Sequence, residues 1–131
     1  MAIRVLGVLT ILLAATAFGC RGTGPGPAPG GGNPDKGKVL FQQKSCGTCH
    51  TLASVPGASG TIGPDLDGIA SRAATREPGK TAEQYIDESI REPAAFVVPG
   101  YPAPSQGGML LPVPVTDDER RDLVAFLMTQ K

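Results

Sequence analysis

Two residue types that build many functional sites are scarce in this chain of 131 residues. His50 is its only histidine, and it has no tryptophan. A closed zinc site needs four Cys, His or acidic ligands, and the chain adds three cysteines to that histidine. Cys20 is far from Cys46 and Cys49 and would have to fold back to join them. A zinc site is therefore not favoured.

The chain also lacks an excess of positive charge. Residues 33–131 contain all 12 acidic residues but only ten of the 12 basic ones, because Arg4 and Arg21 precede them, so this part has a formal charge of about −2. Proteins that bind nucleic acid need a basic face for the phosphates. We therefore expect no nucleic-acid partner.

No apolar run is long enough for a typical membrane-spanning helix. Residues 5–18 form an apolar run of 14 residues, whereas a span needs about 20. The run follows Arg4 and ends in small residues, which is typical of a secretory signal peptide. We therefore predict that residues 1–19 are a signal and that the protein is exported.

Cys20 directly follows the small residues at the end of this signal. The arrangement resembles a bacterial lipoprotein cleavage site, although Ala17 stands where Leu is usual. The alternative is ordinary cleavage after Ala17, which would leave a soluble protein with a free thiol. Residues 21–33 are rich in Gly and Pro and cannot form a core. Residues 20–33 are thus predicted to be a lipidated Cys20 and a flexible tether, which would hold the protein in the periplasm or on the outer face of the cytoplasmic membrane.

Residues 34–131 are predicted to be one all-α domain, because no strand pattern rises above noise. Asn33 is a good N-cap for a first helix that starts with Pro34. A second, short helix is expected at residues 65–71. Thr81 and Thr116 each begin a capping box, formed with Gln84 and Glu119 respectively, and start the third and fourth helices. Between these last two helices lies a proline-rich segment, which we predict to be a stiff loop.

The chemistry lies at Cys46-Gly47-Thr48-Cys49-His50. C-x-x-C-H is the attachment signature of c-type haem. Two thiols three positions apart can each add to one of two neighbouring vinyl groups, and the adjacent imidazole can then bind the iron. A redox disulfide is the alternative, but it normally lies in a βαβ fold, which this sequence does not support. We predict one covalent haem c, which would also compensate for the scarcity of aromatic residues in the core.

The second axial ligand of the iron cannot be another histidine of this chain. Methionine sulfur is the natural partner of a histidine, and apart from Met1 the chain has Met109 and Met128. Met128 falls in the last turn of the fourth helix, where a core or surface role is expected. Met109 falls in the proline-rich loop, where a stiff frame could press sulfur onto iron. We therefore predict His50 and Met109 as the axial ligands.

These features together resemble a class I c-type cytochrome of single-haem, membrane-tethered form. Gly37 and Phe41 precede the motif, a Gly-Pro-Asp-Leu segment follows it at residues 63–66, Met109 lies in a Pro-rich loop, and a Leu-Val-Ala-Phe-Leu helix closes the chain at residues 123–127. The resemblance implies a small cytochrome c fold of three to five short helices wrapped around one haem.

The same resemblance implies specific contacts in the fold. The first and last helices should cross near Gly37 and Phe126. The carbonyl of Pro64 should accept a hydrogen bond from His50, which would orient the ring. Arg72 is a candidate partner for a haem propionate, with a solvated surface position as the alternative.

The resemblance also implies an electron carrier rather than an enzyme. The expected reaction is one-electron Fe(III)/Fe(II) exchange between membrane complexes, such as an oxidase, a quinol-oxidising complex or a photosynthetic reaction centre. One alternative is a haem subunit of a larger oxidoreductase. Others are a peroxidase, which would need an open iron and a distal acid or base, and a gas sensor, which would have to release Met109.

Overall fold

The computed structural model describes residues 31–109 and 113–131. The predicted signal, Cys20 and most of the predicted tether lie outside the described residues. The described chain contains helices α1 (Pro34–Gln43), α2 (Ile69–Ala73), α3 (Ala82–Arg91) and α4 (Asp117–Leu127). Two 3-10 turns lie at Cys46–Thr48 and Pro104–Gln106.

The all-α prediction is confirmed. Extended pairing in residues 31–109 and 113–131 is limited to an isolated antiparallel bridge between Thr51 and Ser59. Among the helices of these residues, none combines the length and the apolar character needed to cross a membrane.

The helix starts follow from local capping, as predicted. The Asn33 side chain accepts hydrogen bonds from the first-turn amides of α1, at 3.0 Å. Thr81 and Thr116 both form complete capping boxes, in which the hydroxyl accepts from the third helical amide and the Gln84 or Glu119 side chain accepts from the cap amide. Each cap satisfies donors that would otherwise have no partner at the helix end.

The second helix differs from the prediction of residues 65–71, because it begins only at Ile69 and extends to Ala73. Asp65 turns the chain first, since its carboxylate accepts from the Asp67 amide at 2.7 Å. Gly68 then has φ of +68°, a left-handed conformation that glycine adopts without strain but that no α-helix contains. A turn therefore replaces the expected first helical turn.

The core is centred on the crossing of α1 and α4, at the position that the resemblance implied. Gly37 is buried, and a methyl group built on it would lie only 2.6 Å from Phe126 Cβ and would overlap the backbone of Asp122. The rings of Phe41 and Phe126 meet edge to face with centroids 5.9 Å apart. The absence of a side chain at Gly37 is thus what lets the two backbones approach.

The ordered domain includes the end of the predicted tether. Gly32 is buried against α4, where a Cβ atom would lie 2.9 Å from the amide nitrogen of Asp122. The Asn33 amide donates to the Asp122 carboxylate at 2.6 Å. The chain therefore enters the domain along α4 before α1 begins.

The α1–α4 crossing gives a test of the fold. We expect Gly37→Ala to lower the free energy of unfolding by about 2 kcal/mol or more, because overpacking a tight contact costs about 1–3 kcal/mol and here the obstacle is backbone. Lys38→Ala, on the exposed side of α1, is the control and should change stability by less than about 0.5 kcal/mol. Urea unfolding measures both. A gain of about 1 kcal/mol for Gly37→Ala, as helix propensity alone predicts, would contradict the close approach.

Candidate haem site

A large, mostly apolar cavity opens beside the core. It encloses about 1420 Å³ when the part that opens to solvent is included. Its walls come from the end of α1, from α3 and α4, and from the loop between these last two helices. Apolar side chains make up most of the lining, among them Phe41, Leu66, Ile86, Phe96, Val97 and Leu123.

The cavity collects five of the predicted site residues. Cys46, Cys49, His50 and Pro64 line it, and Met109 lines it as well, although 59 positions of sequence separate Met109 from His50. Met128 is the C-cap residue of α4 and packs against the hydrophobic core instead. Of these two methionines, only Met109 is thus placed in the same cavity as the imidazole.

His50 is oriented by a backbone carbonyl. Its Nδ1 lies 2.8 Å from the carbonyl oxygen of Pro64, the contact that the resemblance implied. A carbonyl can only accept, so Nδ1 carries the proton and the neutral ring keeps a lone pair on Nε2. Burial lowers the pKa of His50, against the opposing effect of the Pro64 carbonyl. The lowered pKa favours the neutral ring, which is the form that binds a metal.

Gly63 makes room for this imidazole. A Cβ atom at residue 63 would lie 2.7 Å from Nδ1 and 2.9 Å from Nε2 of His50, closer than real atoms approach. The Gly63 amide also donates to the Cys49 carbonyl at 2.7 Å. The segment after the motif thus forms a cradle for one face and edge of the ring, and any side chain at residue 63 would displace it.

The two cysteines are half-buried free thiols. Burial is the main cause that raises the pKa of Cys46 above its ordinary value. Redox-active C-x-x-C pairs instead have a nucleophilic cysteine with a lowered pKa. The environment of Cys46 therefore favours a buried attachment point over a disulfide-exchange site.

Arg72 does not line the cavity. Its guanidinium donates to the carbonyl oxygens of Asp67 and of Asp65, the latter at 2.6 Å, and so fixes the turn before α2. Arg76 lines the cavity instead. The exposed position of Arg72 matches the surface alternative. Its propionate contact stays a prediction, and Arg76 is a second candidate for that contact.

Arg76 stands apart from the other arginines in the described part of the chain. In residues 31–109 and 113–131 its guanidinium has no hydrogen-bond or ion-pair partner, whereas the others contact carbonyl or carboxylate oxygens: Arg72, Arg91, Arg120 and Arg121. Sequence alone did not single out Arg76, because it follows Arg72 by four positions and looks equivalent. Only the engagement of Arg72 with the turn separates them.

Comparison with known families decides the assignment of this domain. The family model described as cytochrome c matches residues 34–131. The chain belongs to the cytochrome c family. Members of this family are electron carriers that bind haem c covalently, and Cys46 and Cys49 form the attachment motif of this domain, consistent with one haem. The predicted cofactor is confirmed, while the individual iron ligands stay predictions.

Two relatives place the cytochrome c domain among known proteins. Cytochrome c2 of Rhodoblastus acidophilus is 40% identical over 48 residues, which cover 37% of this chain and 41% of that protein. The match thus spans less than half the length of that relative. The crystal structure of SoxXA from P. pantotrophus superimposes with a TM-score of 0.54 and 24% identity, over 76% of this chain and 82% of that one. This second likeness shows the fold alone.

The residues present fit a haem c group. Its thioether bonds would form at Cys46 and Cys49, its iron would have His50 available from a shaped cradle, and the apolar walls would exclude water from most of the ring. All three of these residues line the same cavity.

The two arginines provide a matched test of the cavity's charge. We expect Arg76→Gln to lower the midpoint potential of the haem protein by tens of millivolts, because a nearby cation favours the reduced, less positive iron. Arg72→Gln should leave the potential nearly unchanged and lower the stability, since it removes two hydrogen bonds to the turn. Spectroelectrochemical titration and urea unfolding measure the two effects. The opposite order would make Arg72 the propionate partner.

Proposed function

We propose that this cytochrome c domain is a single-haem electron-transfer protein that exchanges one electron between membrane redox complexes on the outer face of the cytoplasmic membrane. The observation that carries the proposal is the shared cavity, whose lining brings the two attachment thiols, the neutral imidazole and the Met109 thioether together. When bound, haem c supplies the Fe(III)/Fe(II) couple.

Each residue of the site has a definite part in this function. Cys46 and Cys49 would attach the group, and His50 would hold the iron with its ring orientation set by Pro64. Met109 would supply a thioether to the same iron, and a Met/His pair raises the reduction potential. The apolar lining would keep the group dry and rigid, so that little reorganisation would accompany the change of charge.

The cavity favours electron transfer over peroxidase chemistry. A peroxidase needs an open iron and a distal acid or base. His50, the one histidine of the sequence, would hold the iron together with Met109, so neither an open iron nor a distal histidine would be available. A gas sensor would likewise have to displace Met109. The stronger alternative is a haem c subunit of a larger oxidoreductase, which would show as stoichiometric co-purification with other subunits from native membranes.

The proposed partners are donor and acceptor complexes such as an oxidase, a quinol-oxidising complex or a reaction centre. The proposed anchor is a lipid on Cys20, joined to the domain by the Gly/Pro-rich tether. The Gly/Pro-rich composition of the tether supports free movement of the domain. Such movement would let the domain visit donor and acceptor in turn. This arrangement suits a carrier that stays at the membrane surface.

The ligand assignment is tested by a pair of methionine variants. We expect Met109→Ala to lose the weak sulfur-to-iron charge-transfer band of the oxidised protein, and to lower the midpoint potential by on the order of 0.1 V, since axial ligands set haem potentials over a range of about 0.8 V. It should also bind carbon monoxide when reduced, with normal covalent haem content. Met128→Ala is the control and should keep the band. A band that survives Met109→Ala would refute the assignment, and a wild type without one would favour the sensor or peroxidase alternative.

The anchor is tested by Cys20→Ser. We expect the wild type to fractionate with membranes and the variant to be soluble, because a lipidated cysteine is the proposed attachment. Mass spectrometry of the mature N-terminus separates this result from retention of an uncut signal. A wild type that is already soluble would contradict the lipid anchor without affecting the electron-transfer assignment.

A further inference from the structure

Residues 58–64, here called the flanking segment, pack closely against the turn that separates the two attachment cysteines. A Cβ atom at Gly47 would lie 2.8 Å from both Cα and Cβ of Ala58. A Cβ atom at Gly60 would lie 2.6 Å from the carbonyl carbon of Cys49. Both distances are shorter than the contacts that real Cβ atoms make. The absence of side chains at these two glycines therefore lets the two stretches of backbone meet.

Backbone hydrogen bonds join the flanking segment to the motif at two points. The Gly60 amide donates to the Gly47 carbonyl at 3.0 Å, and the Gly63 amide donates to the Cys49 carbonyl at 2.7 Å. Only two residues separate Gly60 from Gly63. The start and the end of the segment therefore cannot move independently of each other.

The start of the flanking segment is fixed by the hydrophobic core. The amide of Ala58 donates to the Val55 carbonyl at 3.1 Å, and its carbonyl accepts from the Leu52 amide at 3.1 Å. Leu52, Val55 and Ala58 are all buried and belong to the core cluster. Because protein interiors are densely packed, Ala58 is a fixed obstacle beside Gly47 that does not yield to a larger side chain there.

Thr51 joins the flanking segment to the backbone that carries the imidazole. Its hydroxyl donates to the Gly60 carbonyl at 2.8 Å, and Thr51 directly follows His50. At the other end of the segment, Gly63 lies against the imidazole ring and the Pro64 carbonyl faces its Nδ1. The segment is thus tied to the motif at its start and holds the ring at its end.

We propose that Ala58 and Thr51 are positioning residues that set the orientation of the His50 ring through the flanking segment. Ala58 fixes how closely the segment approaches the turn, and Thr51 holds its start to the backbone next to the histidine. A displacement at the start reaches the end that holds the ring, and outer contacts of this kind orient a metal-binding imidazole. This inference rests on the proposed function, in which His50 binds the haem iron.

The first test is a pair of complementary substitutions in the oxidised, full-length haem protein. Gly47→Ala places a methyl group against Ala58, and adding Ala58→Gly removes the obstacle. The readout is the set of haem-methyl proton resonances, whose order and spacing report the orientation of the axial imidazole. We expect the pattern to change in Gly47→Ala and to return to that of the wild type in the double variant, because substitutions of contacting residues are not additive. Ala58→Gly alone completes the cycle.

Thr51 provides an independent second test, which also serves if Gly47→Ala does not accumulate as a folded protein. Thr51→Val removes the donor to the Gly60 carbonyl, whereas Thr51→Ser keeps it. In Thr51→Val we expect a changed haem-methyl pattern and about threefold to tenfold faster deuterium exchange of the Gly60 amide, the range for loss of one hydrogen bond. Thr51→Ser should match the wild type in both. Ser59→Ala removes an exposed hydroxyl of the same segment and is the matched control.

The outcomes distinguish this inference from the proposed function. If the wild type has covalent haem with His50 on the iron, but Gly47→Ala and Thr51→Val give the same pattern as Ser59→Ala, the positioning role is refuted and the electron-transfer assignment stands. A changed pattern that Ala58→Gly does not restore would overturn the part of Ala58, and an unchanged pattern in Thr51→Val would overturn that of Thr51. A wild type without covalent haem, or without His50 on the iron, overturns both proposals. Restoration by Ala58→Gly and retention by Thr51→Ser support the inference.

Discussion

The close crossing of α1 and α4 at Gly37 sets the position of most other parts of this domain. The crossing brings the two ends of the described chain into one core, with Phe41 and Phe126 packed edge to face. Helices as short as these are marginal alone and are stabilised mainly by tertiary packing. The attachment motif follows α1, and the Met109 loop precedes α4. The crossing therefore brings these two segments to the same cavity.

A second constraint acts at the imidazole. His50 carries a defined tautomer because the Pro64 carbonyl accepts its Nδ1 proton, and its ring occupies space that Gly63 leaves open. Both partners belong to one short segment, which is joined to the motif by the bond from the Gly63 amide to Cys49. Metal-binding histidines depend on such outer contacts for orientation and basicity. The segment after the motif is thus as much a part of the site as the motif.

Few charged side chains line the cavity. Lys44 and Arg76 both line it, but Lys44 is paired with Glu119 while Arg76 has no partner in the described residues. The loop that carries Arg76 is held to α3 by Lys80, which bridges Glu77 and Glu88. An unpaired cation that lines an apolar cavity suits an anionic group inside it.

Features that depend on a few neighbouring residues could be predicted from the amino-acid sequence. The attachment motif needs five consecutive positions, and the caps at Asn33, Thr81 and Thr116 need contacts within one helical turn, so both could be predicted with their residue numbers. The second helix was placed too early because the turn at Asp65 and Gly68 competes locally with helix formation. The family resemblance added the α1–α4 crossing and the Pro64 contact.

Which of several similar residues share the cavity depends on the three-dimensional packing of the chain. It placed Met109 there and Met128 against the core, and it placed Arg76 there while Arg72 serves the preceding turn. It also joined Lys44 to Pro114 across 70 positions. Neither composition nor periodicity distinguishes such residues, because their roles depend on distances through space that chain folding sets and that sequence separation does not encode.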